Sequence, residues 1–350
     1  MGKWPGQAHI LRSQTREFDF ALAIAAANQL SKATMSSASR VEHALSAIPS
    51  KIDRVGVLAM IAGTLITAWS GVLVRLIDVG PFAAGAWRVA LAVPALAAWA
   101  RLVQRDRRDA PNLRRSAGLL IFAGLAFALN IGFFHISLTG TKVANAAFIG
   151  AVGPIVTVIG GALFFRERSS SRMWLALGLA LFGAWTMAGL VAPTRIGFGD
   201  SLALCSSITY SGYLLLIKQL RLRLDAVTAT MWTSAVSAVV LAVAAWLHGE
   251  TLIPSSAFGW MIVVLLGLGV HALGQGLTSM AMGRAPIGVI ALVILAQPPF
   301  TAFAAWTVLG EGMTRLELVG GAIILAAVLL VGPFTASPSR RSSPSGTPRR

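Results

Sequence analysis

The sequence predicts an all-α integral membrane protein, with ten transmembrane helices built as two inverted five-helix repeats. Three observations predict it. Hydrophobic residues are 56% of the 350 and charged residues only 12%, about half the charge density of an average soluble domain. The apolar residues gather into ten runs of membrane-crossing length. Features of the first five runs recur in the last five at a nearly constant offset.

Composition comes first because it excludes most classes. Mean hydropathy is +0.74. A water-soluble chain of this length needs more charge to cover its surface, and disorder, collagen and coiled coil fail on the same numbers. The lone cysteine, Cys205, leaves no internal disulfide and no cysteine-based metal cluster. No metal and no cofactor is expected.

The runs are the second observation. Residues 55–334 are apolar stretches with short breaks, flanked by a mixed polar tail (1–54) and a Ser/Pro/Arg tail (335–350) with nothing to bury. A spanning helix needs about 20 apolar residues, so the 280 residues of the middle part hold ten. They read as 55–76, 81–103, 116–138, 144–165, 173–191, 199–219, 228–247, 257–282, 287–308 and 316–334. Trp99, Trp174, Trp246 and Trp260 sit at run edges, as interfacial tryptophans do. A large soluble helical protein would show a polar stripe on its helices; the stretch 177–191 (LGLALFGAWTMAGLV) shows none.

The net charge of +16 suggests nucleic acid until the charges are placed. Lys and Arg number 7 in the first tail, 6 between runs 2 and 3, 3 between runs 4 and 5, 3 between runs 6 and 7, 1 at Arg284 and 4 in the last tail. The alternate loops hold only Arg75, Lys142, Arg195 and Arg315, and Arg88 lies within run 2. The bias of 24 to 4 is a topology signal that puts both termini in the cytoplasm. The partners expected are a small organic solute and membrane lipid, with a homodimer left open; nucleic acid is not expected. The first tail stays ambiguous: FDFALAIAAA (18–27) is too short to span, and reads either as an interfacial helix or as part of a misplaced start, with Met35 the real first residue.

Internal repetition is the third observation. Laying run 4 over run 9 with a shift of 144 puts Pro154 on Pro298 and Glu167 on Glu311, each glutamate 13 residues after its proline. Trp69-Ser70-Gly71 echoes Tyr210-Ser211-Gly212 at 141, and Trp87 echoes Trp232 at 145. The halves are 55–191 and 199–334. Five spans is an odd number, so the second copy enters the bilayer from the other side, an arrangement many secondary transporters use.

The prolines give this repeat its chemistry. Proline donates no N–H and displaces the carbonyl four residues back: Gly150 for Pro154, Ile294 for Pro298. A bared carbonyl in hydrocarbon costs several kcal/mol unless protein or water meets it. Paired broken helices therefore suit a polar cavity, the alternative being a plain packing kink. Ala146, Gly150 and Pro154, four apart, read first as close helix packing.

Polar residues inside the runs are the candidate site. Arg88 needs a partner at membrane depth, and the 13 acids all lie in tails, loops or helix ends. Its partner is Asp78, backbone carbonyls or an anionic group of the solute. Asn145, Gln275 and Gln297 are neutral ligand candidates alongside Asn130, and Gln297 adjoins Pro298. Trp69 and Tyr210 are the aromatic candidates, with bundle packing as the alternative. His135 and His271, the histidines inside runs, are the titrating groups that could couple transport to protons. Glu167 and Glu311 read as capping or helix-holding groups, or as gates.

Two other classes compete. A membrane enzyme lacks its motifs here: the Ser70-Gly71 and Ser211-Gly212 steps lack the Gly-x-Ser-Gly glycine, and neither His-Glu-x-x-His nor a Walker A loop occurs. A channel or scaffold is the alternative function, although an inverted repeat builds one cavity opened from either side.

On Pro81…Trp87-Arg88-Val89-Ala90-Leu91-Ala92, on Ala144-Asn145-Ala146-Ala147…Pro154…Glu167-Arg168, and on Gly288…Pro298…Glu311, the chain resembles the EamA-like drug/metabolite transporter superfamily over 55–334. The resemblance implies a bacterial inner-membrane carrier that exports amino acids, metabolites or toxic compounds by alternating access without ATP. Thr233 stands where the second half would match Arg88, and the first tail is long for the family.

Overall fold

A computed structural model describes residues 53–104, 113–141, 143–167, 169–188 and 197–331. Of the tails read above at 1–54 and 335–350, residues 1–52 and all of 335–350 lie outside these residues. Every regular element among them is helical. Ten rods follow in order: α1 (Arg54–Thr67 continuing as Ser70–Leu76), α2 (Pro81–Gln104), α3 (Leu113–Gly140), α4 (Val143–Gly150 continuing as Val152–Phe165) and α5 (Ser171–Met187). Then come α6 (Phe198–Leu220), α7 (Ala226–Leu247), α8 (Ala257–Met282), α9 (Ile287–Ile294 continuing as Gln297–Leu309) and α10 (Arg315–Val331).

Eight of the rods are long and apolar enough to cross a membrane; α5 and α10 have 17 residues each. The outer surface is apolar over large side chains such as Phe122, Leu163, Phe164, Val239, Trp246 and Leu329. That much exposed hydrocarbon needs lipid against it.

Short polar side chains start several rods by taking an orphan N–H. Asp53 accepts from Val55 N at 3.0 Å, Ser170 from Met173 N at 3.2 Å, Asp225 from Thr228 N at 2.9 Å and Ser256 from Gly259 N at 2.9 Å. Three rods are interrupted, α1 at Ala68–Trp69, α4 at Ala151 and α9 at Leu295–Ala296. In α8, residues Leu265–Gln275 open into a π-helix, a geometry that often marks functional positions.

The repeat is visible in the boundaries. Val143 and Ile287, Phe165 and Leu309, Ser171 and Arg315, and Met187 and Val331 are equivalent starts and ends, each pair 144 apart. Both α4 and α9 end on a left-handed residue, Arg166 (φ 53°) and Gly310 (φ 68°). The next residues then donate alike: Glu167 N to Gly161 O and Glu311 N to Ala305 O, both at 3.3 Å. Packing is reciprocal. α2 packs on its counterpart α7 and α5 on α10, while α3 packs on α6 as α8 does on α1. Such exchange is what a pseudo-two-fold axis produces. The ends of α1 and α6 are also 144 apart, so Trp69 matches Tyr213, and the echo at 141 runs about one turn out of register with them.

Candidate functional site

The interruptions surround a cavity of about 120 Å³. A single water needs about 10–15 Å³, so this space admits several waters or a small organic molecule. Its wall is Thr67, Ala68, Ser70 and Gly71 of α1, Arg88 of α2, Phe127, Asn130 and Phe134 of α3, and Gln275 of α8. From α4 come Ala146, Gly150, Ala151, Gly153, Pro154 and Thr157. α6 gives Ala203, Ser206, Ser207, Tyr210 and Leu214, and α9 gives Ile294, Gln297, Pro298 and Thr301.

Hydroxyls of neighbouring helices meet carbonyls at and beside two of the breaks. Ser207 Oγ donates to Gly150 O at 2.9 Å, the carbonyl displaced by Pro154, and Ser211 Oγ donates to Gly153 O at 2.8 Å. Likewise Thr301 Oγ1 of α9 donates to Ala68 O, at the interruption of α1, at 2.9 Å. At α4 the kink and the cavity are thus one feature: the carbonyl that Pro154 leaves without an N–H is met at the cavity wall by a hydroxyl of α6.

Arg88 is the one charged residue of the wall, and no acid lines it. It is 7% exposed. Nη1 donates to Ser70 Oγ at 2.7 Å, while Nε has no acceptor. Asp78 is not its partner. That carboxylate instead accepts from Ser255 N and Oγ at 3.0 and 2.7 Å and from Ser256 N and Oγ at 3.2 and 3.1 Å. The Ser255 hydroxyl, first among these donors, holds the Asp78 carboxyl below its ordinary pKa.

Of the expected site residues, Arg88, Pro154, Tyr210, Gln275, Gln297 and Pro298 come together on this wall. Tyr210 stacks on Tyr213 at 6.0 Å, and Gln275 Nε2 donates to the Tyr213 hydroxyl at 3.4 Å. Trp69 and Asn145 do not line it. Trp69 sits in the α1 interruption, where Ala68 and Ser70 face the cavity and Trp69 is 41% exposed. Asn145 is exposed one residue off the α4 face of Ala146, Gly150 and Gly153, about 100° round the helix.

The two histidines also lie off the wall, and each holds a helix contact. His135 Nδ1 lies 3.0 Å from Pro81 O, at the start of α2, so Nδ1 carries the proton. His271 Nε2 lies 2.7 Å from Ser234 Oγ. That hydroxyl already donates to Thr230 O at 2.6 Å, so it accepts from the histidine, which leaves Nδ1 bare.

Sequence reasoning passed over Ser70, Ser206, Ser207, Thr157 and Thr301. A lone hydroxyl in an apolar helix usually bonds back to its own turn, as Thr186 Oγ1 does to Phe182 O. Only the Ser206–Ser207–Ser211 spacing, opposite a proline helix, hinted at a cross-helix role.

The cavity is offset along the rods. Its wall reaches Ala146 and Ala203, close to the starts of α4 and α6. At the other end Glu167, just past α4, forms an ion pair with Lys218 of α6 at 2.6 Å and accepts from Ile287 N, at the start of α9, at 2.8 Å. The helix-holding role expected of Glu167 is what this geometry gives: three rods tied at one point.

Comparison with known proteins agrees with this architecture. The EamA-like transporter family matches residues 54–189 and again 197–332. A probable terminal-alkyne amino-acid exporter of Streptantibioticus cattleyicolor is 27% identical over 262 residues, covering 74% of this chain and 85% of the exporter. The transporter YdfC of Bacillus subtilis is 23% identical over 285 residues, 77% of this chain and 88% of its own. A crystal structure at 16% identity superposes with a TM-score of 0.64 over 79% of this chain and 95% of that one, a likeness of fold. With two family repeats spanning nearly all the described residues, and relatives that are transporters rather than enzymes, this multi-pass membrane protein belongs to the EamA-like transporter family.

Proposed function

We propose that this transporter moves a small organic solute, an amino acid or a compound of that size, out of the cytoplasm by alternating access. The observation that carries the reading is the placement of one cavity where the interrupted rods of both repeats meet, with one end tied by Glu167, Lys218 and Ile287. A repeat unit rocking against the other would release that tie and close the opposite end, so that the cavity faces each side in turn. Counting α5 and α10 as short spans gives ten crossings and opposite orientations for the repeats. The bias of basic residues then puts the Glu167 end and both termini in the cytoplasm of a bacterial inner membrane.

In this reading Arg88, Tyr210, Gln275 and Gln297 contact the solute, and Pro154 and Pro298 shape its space. The amino-acid exporter among the relatives supports that solute class and export. Counterflow in proteoliposomes tests the function. Vesicles loaded with unlabelled amino acids are expected to accumulate labelled amino acid transiently against its gradient. Equilibration that ignores the solute inside would mark a channel, and no counterflow with any of the twenty common amino acids would remove that class.

A further inference from the structure

We propose that the cavity anchors its solute by a carboxylate on Arg88, and that a solute ammonium group contributes little to recognition. This rests on the cavity being the solute site.

The geometry points to an anion at one place. A guanidinium has five N–H donors, and Arg88 spends one, on Ser70 Oγ at 2.7 Å. Nε lacks an acceptor altogether. No carboxylate pairs with Arg88 among the described residues, and the acids of the neighbouring loops are already bound. Asp78 takes Ser255 and Ser256, while Glu250 takes Phe82 N and Ala83 N at 3.3 and 2.8 Å. A buried cation with unspent donors, in the wall of a cavity that holds no acid, is a site for an anion. Arginine's planar fork matches a carboxylate, held by two parallel bonds. A phosphate dianion would call for a second cation, and the wall has none.

The complementary half of the inference is the missing acid. An ammonium group entering this space meets only neutral oxygens, such as those of Gln297, Ser206 and Thr157. Phe127, Phe134, Leu214 and Ile294 supply apolar wall for a short hydrocarbon body. The solute class is therefore a small monocarboxylate, with or without an amine.

Thermal unfolding of the purified full chain in lipid nanodiscs, titrated with matched probes, tests this. The probes are alanine, norvaline, leucine and phenylalanine, each beside its amide, its deaminated acid and its decarboxylated amine. Amino acids and deaminated acids are expected to stabilise at similar concentrations. Amides and amines should need about ten- to a hundredfold more, the worth of hydrogen bonds to a charged group. Arg88→Gln should abolish the difference between acid and amide, and Arg88→Lys should retain part of it. If these variants fail to fold, the acid–amide comparison on the natural chain still decides. Amides that stabilise as well as acids, or no stabilisation by any carboxylate, overturn the proposal. Binding of acids without counterflow would leave it standing and remove the transport cycle; counterflow confined to neutral or cationic solutes would do the reverse.

Discussion

The tie among α4, α6 and α9 offers the sharpest test of how the bundle is closed at one end. The Lys218 side chain is 4% exposed and that of Glu167 14%, at 2.6 Å. Lys218→Met leaves Glu167 half-satisfied, with Ile287 N–H as its remaining donor. Removing one partner of a buried pair costs about 3–5 kcal/mol; the lower end applies here because the N–H persists and the carboxylate keeps some solvent. About 3 kcal/mol corresponds to roughly 6 °C of Tm in a chain of this size. Glu167→Gln strands the ammonium instead and should cost a similar amount. The double variant restores neutrality, so its loss should fall well short of the two single losses added, leaving a coupling of about 2 kcal/mol. Thermal unfolding in nanodiscs across the four proteins measures this. Single losses that add within about 0.5 kcal/mol would show that the pair does no joint work.

Three further outcomes follow from the geometry. Ser207→Ala takes the donor from Gly150 O at a cavity wall, and should lower stability by about 1–3 kcal/mol, more than Thr186→Ala, whose carbonyl already sits in a regular turn; unfolding of the two variants side by side checks it. Gly153→Ala places a Cβ 2.7 Å from Ser207 Oγ and 3.0 Å from Ser207 O, so α4 must move off α6, and Tm should fall while Gly178→Ala, with open space around it, leaves Tm unchanged. The Asp78 carboxyl is lowered in pKa by the Ser255 hydroxyl. Its contribution is thus present above the ordinary aspartate range and lost as pH falls below it, and the Tm gap between the natural chain and Asp78→Asn should close on acidification from pH 7 to pH 3.

Much of this was legible before any coordinates because membrane burial writes long signals. Twenty-residue apolar runs, loop charges and the proline–glutamate spacing of 13 that recurs at an offset of 144 each depend on one dimension of sequence, and each maps onto a rod, a loop or a repeat boundary. The site was legible where chemistry is rare in lipid. Arg88, Gln275 and Gln297 stand out because a polar group at that depth needs a reason. It was illegible where the reason is angular. Trp69 and Asn145 miss the wall because a helix interruption or a single 100° step decides which side a residue faces, and no run edge records that. The hydroxyls of Ser207 and Thr301 were hidden for a different reason: their acceptors, Gly150 and Ala68, are 57 and 233 residues away.

The two repeats share a frame, yet they are not in the same condition, and the difference falls at a pair of glutamates that the repeat relates. Glu167 and Glu311 occupy equivalent positions with the same backbone geometry after α4 and α9. Glu167 reaches the start of α9 at Ile287; the equivalent reach for Glu311 is the start of α4 at Val143. That contact is not made. The Glu311 side chain has no hydrogen bond or ion pair among the described residues, and Arg75, at the end of α1, gives its guanidinium to Thr141 O at 2.6 Å. In the proposed cycle, ties at both ends would seal the cavity and ties at neither would leave a pore. One engaged glutamate and one idle one, at equivalent places in the two repeats, is what the proposed alternating access would show in one of its two states. The side chains inside the cavity break the symmetry for an unrelated reason. Arg88 has Thr233 as its counterpart, a residue that bonds back to Ala229 O on its own helix. The proposed cycle between two mirrored states calls for a symmetric frame, whereas the proposed carboxylate solute, with one charged end, calls for a single cation.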